Sequence, residues 1–357
     1  MERILCGASA FQYHRIPPLI REMLPGPECL GTPIGREALM QFGVLDVKGG
    51  AGLFSSPLHI LTERRGACSG IQGVKGHFLP ELPGWDPFGP QHEELSVSPL
   101  LALATMARSL SVPQLCMAMY ELCGTFTVFS APACLDGMID EISSAGGGRC
   151  HDDWKPVRDA SGRPTALWRR PALLDVSDLE RASSMIEGMH GCKKFKRAAS
   201  LVRGVAASPF EVQAAMLLSF PRSLGGAGIN PVQLNVPIQL TRAAQRISGK
   251  SLCYGDIVLE PRGQGQTVVV ECQSALIHDR AESYLSDAGR TTALESMGYN
   301  VVLLTSRQLY QRQTWDEVVR HIARGVGARL APKGRAYLER EQELRRQILI
   351  DWATLGM

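Results

Sequence analysis

The chain has 357 residues, 45% of them hydrophobic and 20% charged, with a formal net charge of +3. This is globular composition, and the length exceeds what one compact core usually holds, so two domains are expected. A charge this small does not by itself imply nucleic-acid binding, and no run of about 18 uncharged apolar residues is present to cross a membrane.

The opening segment, MERILCGASAFQYHR, has a short apolar stretch but lacks the succession of basic, apolar and small-residue regions of a secretion signal. A cytoplasmic location is the expectation. The ten cysteines include no C-x-x-C pair, which argues against a regularly spaced zinc site and against a secreted disulfide framework. Buried free thiols in a reducing compartment are expected instead.

In chain order, residues 1–135 form an N-terminal region that starts rich in proline and glycine, with a short helix expected from Pro33 to Phe42. The segment HILTERRGACSGIQGVKGHFLP can supply short strands. Residues 96–124 read as two helices. Ser98 with Pro99 can start the first and Ser111 with Pro113 the second, because serine caps a helix and proline tolerates its first turn. Gly124 ends the pair. Residues 136–204 are a linker and basic helix. GGGRC, KPVRDASGRP and WRRP are loop composition, and a long helix is expected from Asp175 to Arg203. It carries Lys193, Lys194, Lys196, Arg197 and Arg203 with no acid between Glu187 and Glu211. This cluster is either a solvated helix face or a phosphate-contacting one.

Residues 205–330 carry the clearest pattern. SPFEVQAAMLLSF is a helix, VQLNVPIQL and YGDIVLE are strands, EPRGQGQ is a hairpin turn and TVVVEC is a β-branched strand. A polar helix over 279–297, the strand NVVLLT and a helix over 314–325 follow. This order predicts an α/β fold with a mixed sheet flanked by helices, set apart from a mostly helical N-terminal region. Residues 331–357 are a charged helical tail that either packs on the body or meets another chain, so a homodimer is one expectation.

The hairpin can carry chemistry. Metal-dependent phosphodiester cleavage needs carboxylates that hold Mg²⁺ against a phosphate oxygen and a polar group near the attacking water. Asp256 opens the strand DIVLE. Glu271 and Gln273 end the next strand two apart, hence on one face. An acid at the end of VVVEC lies near a buried sheet, where charge is costly without a cation or hydrogen-bond donors; otherwise Glu271 marks the strand's exit into solvent. His278, beside Asp279, serves either as a general base or as a cap of the following helix. Ser208, Pro209 and Glu211 form a capping-box sequence, although Glu211 could instead face the sheet as a third carboxylate. Asp287 and Arg290 share a helical face, either as a structural salt bridge or with Arg290 on a phosphate.

The pattern GDIVL … VVVECQS … HD … DAGR … LESMGYNVVLLT resembles the PD-(D/E)xK restriction-endonuclease-like superfamily, and within it domains related to the very-short-patch-repair endonucleases. The matched positions are Asp256, Glu271, Gln273, Ser274, His278, Asp287, Arg290 and Gly298. The resemblance implies a restriction-endonuclease-like core, a Mg²⁺ (or Mn²⁺) site at Asp256 and Glu271, and DNA as partner. Lys193, Lys194, Arg197 and Arg290 are the candidate nucleic-acid contacts. Two departures bear on activity: Gln273 stands where such domains carry a lysine or acid, and Ser274 where they carry glycine. Glutamine can hydrogen-bond but supplies neither charge nor proton acceptor. Arg64, Arg65 and the helix pair at 98–124 are loosely similar to the antitoxin-like abortive-infection region that precedes nuclease-like domains in some bacterial proteins, and could pack as a winged helix. Three readings are therefore open: a metal-dependent endonuclease, a degenerate nuclease fold that binds DNA in a toxin–antitoxin or phage-defence setting, and a partner-binding protein without nucleic acid.

Overall fold

The computed structural model describes residues 4–22, 53–62, 73–79, 95–131, 135, 139, 153–273 and 281–356, without the side chains of 281–287. The expected helix at Pro33–Phe42, Arg64, Arg65, Ser274 and His278 lie outside the described residues. The chain divides into two compact units. The first comprises residues 1–156, 164–202 and 351–357, the second 157–163 and 203–350. The described residues contain twelve α-helices and mixed sheets, so the chain is α/β.

In the first unit, strand β1 (Ile4–Leu5) leads into helices α1 (Gly7–Arg15) and α2 (Pro18–Arg21). Strands β2 (Leu58–Thr62) and β3 (Val74–Phe78) follow. β2 lies between β1, antiparallel to it, and β3, parallel to it. β2 and β3 lie at the two ends of the segment expected to supply short strands, so a small sheet stands among the helices of this region. Helices α3 (Pro99–Met106) and α4 (Val112–Cys123) start where the serine–proline signals put them. The Ser98 side chain accepts from Leu101 N–H, and Ser111 forms a capping box with Gln114. Every residue of α4 from Leu115 to Cys123 is buried. It is a core helix with no open face to enter a groove.

Strand β4 (Phe126–Val128) follows α4, and β5 (Lys155–Arg158) and β6 (Pro164–Arg169) occupy part of the stretch expected to be linker. β4 pairs antiparallel with β6. β6 (PTALWR) opens on a proline and closes on an arginine, which gave it loop composition, and only Trp168 in it is buried. The single helix expected over 175–203 is two, α5 (Val176–Met185) and α6 (Cys192–Ala199). Gly188 and Gly191, with φ of 86° and 98°, break it. At Gly191 a Cβ would sit 2.7 Å from the Ala107 carbonyl, so backbone packing as well as conformation demands glycine there.

The hub of this unit is Glu121, fully buried in α4. Its carboxylate receives Arg15 Nη2 at 2.6 Å and Arg15 Nε at 2.9 Å, the Thr127 hydroxyl at 2.7 Å, Val128 N–H at 3.0 Å and Trp352 Nε1 at 2.6 Å. Arg15 also donates to the carbonyls of Trp352 and Ala353. These bonds fasten Trp352 and Ala353 to this unit, whereas the helix just before them belongs to the other.

The second unit begins with α7 (Pro209–Ser219), then β7 (Val232–Gln239), α8 (Arg242–Ser248), β8 (Leu252–Leu259) and β9 (Val268–Gln273). Next come α9 (Ala281–Ser296), β10 (Asn300–Thr305), α10 (Ser306–Tyr310), α11 (Arg312–Gly325) and α12 (Arg335–Ile348). The sheet order is β10-β9-β8-β7, with β10 parallel to β9 and the other pairs antiparallel. α8 is an element the sequence reading missed, being short and polar between two strands. Val268, Val269 and Val270 are fully buried, as expected of a strand covered on both faces. One face packs Ile238, Leu240, Cys253, Val258 and Val269 against Ala244 of α8 and Ala293 and Leu294 of α9. α7 packs on β7 and β8.

Candidate functional site

The hairpin acids are set by an irregularity in β8. Residues an odd number apart in a regular strand point to opposite faces, yet Cys253 and Val258 join the same apolar cluster. The strand therefore switches facing between them. The β7–β8 ladder pairs Val236 with Gly255 and Leu234 with Ile257 but skips the level of Asn235 and Asp256, and Asn235 has a φ of 50°. A Cβ on Gly255 would lie 2.8 Å from Val258 Cγ2 and 3.0 Å from Val269 Cγ1, so no side chain fits. Such bulge-like distortions re-aim a side chain. Here the re-aimed residue is Asp256, half-buried in mid-strand, rather than at a strand start as expected. Its Oδ2 accepts the Cys272 N–H of β9 at 2.7 Å.

On β9, Val269, Glu271 and Gln273 share a face by the two-residue period. Since Val269 lies in the cluster roofed by α9, Glu271 emerges under that helix. Arg290 stands three and four residues before Ala293 and Leu294, on the same helical stripe. Its Nη2 meets Glu271 Oε2 at 2.7 Å, with the Glu271 side chain 3% exposed and that of Arg290 29%. Gln273 is half-buried and faces Thr305 of β10 in register. The side chain of Asp287, the other partner considered for Arg290, lies outside the described residues.

Glu211 is buried in the first turn of α7. The expected capping box is incomplete. Ser208 accepts from Glu211 N–H at 3.3 Å, but the Glu211 carboxylate receives the Ala207 N–H and the Ser208 hydroxyl, both at 2.8 Å, rather than the Ser208 N–H. Burial, followed by the negative charge of Asp256, pushes its pKa up to about 8, with Glu271 adding to the effect and the two hydrogen bonds opposing it. The Cys272 thiol is likewise raised well above its usual range, by burial first and then by Asp256, Glu211 and Glu271. Three acids from α7, β8 and β9 thus share one electrostatic neighbourhood. Glu211 thus bonds locally at the start of α7 while feeling the charge of Asp256 and Glu271.

The donor chemistry suits a hard divalent cation such as Mg²⁺ or Mn²⁺, since all three groups are carboxylates, and crowded negative charge is what such a cation would offset. Each carboxylate is at present engaged by protein partners. Among the described residues no group of three or more His, Cys, Asp and Glu side chains stands arranged to hold a metal ion.

The basic residues expected on α6 divide by role. Lys193 and Arg197 are exposed and one turn apart. Lys194 donates to the carbonyls of Arg108 at 3.1 Å and Leu110 at 2.7 Å, a cation beyond the C-terminal end of α3. Lys196 pairs with Glu187 at 3.2 Å. These residues lie in the first unit and the three acids in the second.

Sequence reasoning missed two constellations. One is the Arg15–Glu121 hub, signalled only by a lone acid inside the apolar run CMAMYELC. The other is a histidine pair on β2 and β3: His77 Nε2 lies 3.0 Å from His59 Nδ1, with stacked rings. Burial lowers both to about 4, so both imidazoles are neutral at pH 7. Comparison with protein families, curated proteins and solved structures gives no match to this chain.

Proposed function

We propose that the second unit is a restriction-endonuclease-like domain whose site at Glu211, Asp256 and Glu271 serves metal-dependent cleavage of phosphodiester bonds in DNA. The observation that carries this reading is the gathering of three acids from α7, β8 and β9, where burial first and the charge of Asp256 second lift Glu211 to about 8. Natural folds rarely gather buried like charges without a use for them. Asp256 and Glu271 would hold the ion, with Glu211 as third carboxylate and Gln273, on the Glu271 face, hydrogen-bonding water or phosphate. A bound Mg²⁺ would supply Lewis acidity toward the phosphate and a more acidic water. The exposed Lys193 and Arg197 would contribute non-specific attraction to the DNA backbone.

The test is cleavage of plasmid and single-stranded DNA in Mg²⁺ or Mn²⁺. Wild-type protein is expected to cut and Asp256→Ala protein to lose at least roughly a hundredfold of that activity. Identical behaviour of the two would end the catalytic reading. A second reading, a degenerate nuclease fold that binds DNA as a regulator or phage-defence component, is favoured by Gln273 and by the arginine seated on Glu271. It predicts salt-sensitive DNA binding without cleavage.

A further inference from the structure

The contact between Arg290 and Glu271 stands exactly where the proposed metal chemistry would need an open carboxylate oxygen. Glu271 follows three fully buried valines in β9. A carboxylate in such a place requires a cation or several donors. Arg290 meets that requirement from α9, held in position because Ala293 and Leu294 of the same stripe are anchored in the apolar cluster. The pair is asymmetric: the glutamate side chain is 3% exposed and the arginine 29%. Glu271 has nowhere to go, whereas the long arginine side chain already reaches solvent and can swing outward. Asp256, whose Oδ2 accepts the N–H of Cys272 at 2.7 Å, brings a second carboxylate to the same stretch of β9.

We propose that Arg290 is the resident counterion of Glu271, displaced by the divalent cation when the site is loaded. Metal and guanidinium compete for one carboxylate oxygen, so the arginine weakens metal binding while keeping the empty site stable. Once displaced, its guanidinium is free to meet a phosphate oxygen, which takes two parallel N–H donors well. This inference rests on the metal-site reading above.

Calorimetric titration of Mn²⁺ into the full chain decides it, with wild type, Arg290→Gln, Arg290→Lys and Glu271→Gln compared. Removing a unit charge a few ångströms from the ion should tighten binding about tenfold or more in Arg290→Gln. Arg290→Lys, which keeps the charge, should bind as wild type does, and Glu271→Gln should weaken binding. A merely structural ion pair predicts the opposite for Arg290→Gln: unchanged or weaker binding through a loosened site. That result, with Glu271-dependent binding in wild type, would overturn the displacement and leave the metal site standing. Absence of Mn²⁺ binding in every folded protein would overturn both. If Arg290→Gln does not fold, Arg290→Met is the second neutral variant and is read the same way.

Discussion

Each unit buries a glutamate against an arginine, and the two pairs differ in everything but that. Glu121 in the first unit is surrounded by donors: two nitrogens of Arg15, the Thr127 hydroxyl, the Val128 amide and the Trp352 indole. Burial pushes its pKa up, but Arg15 and these hydrogen bonds prevail and hold it below the usual carboxylate range. Glu271 in the second unit has Arg290 on one side and two further acids nearby, one of which is driven up to about 8. Equal burial therefore does not mean equal purpose. An acid whose surroundings are all complementary holds a fold together; an acid whose surroundings repeat its own charge is the kind the proposed metal site would use.

The largest effect that could break this comparison comes from deleting each acid. Glu121→Ala should destabilise the first unit by about 3–5 kcal/mol, because Arg15 is left buried and unpaired. Glu271→Gln should cost well under half of that, since it relieves repulsion and leaves a partly exposed arginine. Denaturant unfolding of both variants measures the contrast, and equal losses would make Glu271 a structural residue.

Backbone strain ranks next. Gly191→Ala should cost roughly 1–3 kcal/mol for its left-handed conformation, plus the displacement of the Ala107 backbone 2.7 Å away. Gly249 ends α8 with a φ of 71° and nothing within 4 Å, so Gly249→Ala should show the conformational part alone. Thermal melts of the two variants separate packing from conformation.

Acidity should move the units in opposite directions. In the first, Glu121 is lowered and His59 and His77 are lowered to about 4. The unfolded histidines take up protons below about 6.5 and the folded ones do not, so this unit loses stability as pH falls from 6.5 toward 4. In the second, Glu211 is raised to about 8. Its contribution is complete below about 4.5 and is lost as pH rises toward 8. Hydrogen exchange followed peptide by peptide at several pH values reads both units at once, and Glu211→Gln should flatten the second trend.

The smallest effect concerns the basic helix. Lys193→Ala and Arg197→Ala should each reduce the salt dependence of the proposed DNA binding by about 0.9 in logarithmic slope while leaving stability unchanged. Lys194→Ala should do the reverse, because its ammonium is engaged with the carbonyls of Arg108 and Leu110. Filter binding across a salt series, alongside melts, distinguishes them.

Local chemistry along the chain settled a good deal by itself. The serine–proline starts of α3, α4 and α7, the valine run of β9, the hairpin between β8 and β9 and the two-residue step from Glu271 to Gln273 all depend on neighbours within a few residues, which the sequence exposes directly. Local pattern fell short where glycines interrupted a helical composition at 188 and 191, and where α8 was too short and polar to register. Only the tertiary structure decided what each acid meets. Asp256 finds the Cys272 amide because β8 switches facing beside Gly255, and Glu211 feels Asp256 across elements separated by some 45 positions in the chain. Arg290 reaches Glu271 because α9 lies over the face of β9 that Val269 also occupies. Charge acts through space, so its consequences become legible only when the fold has brought distant residues together.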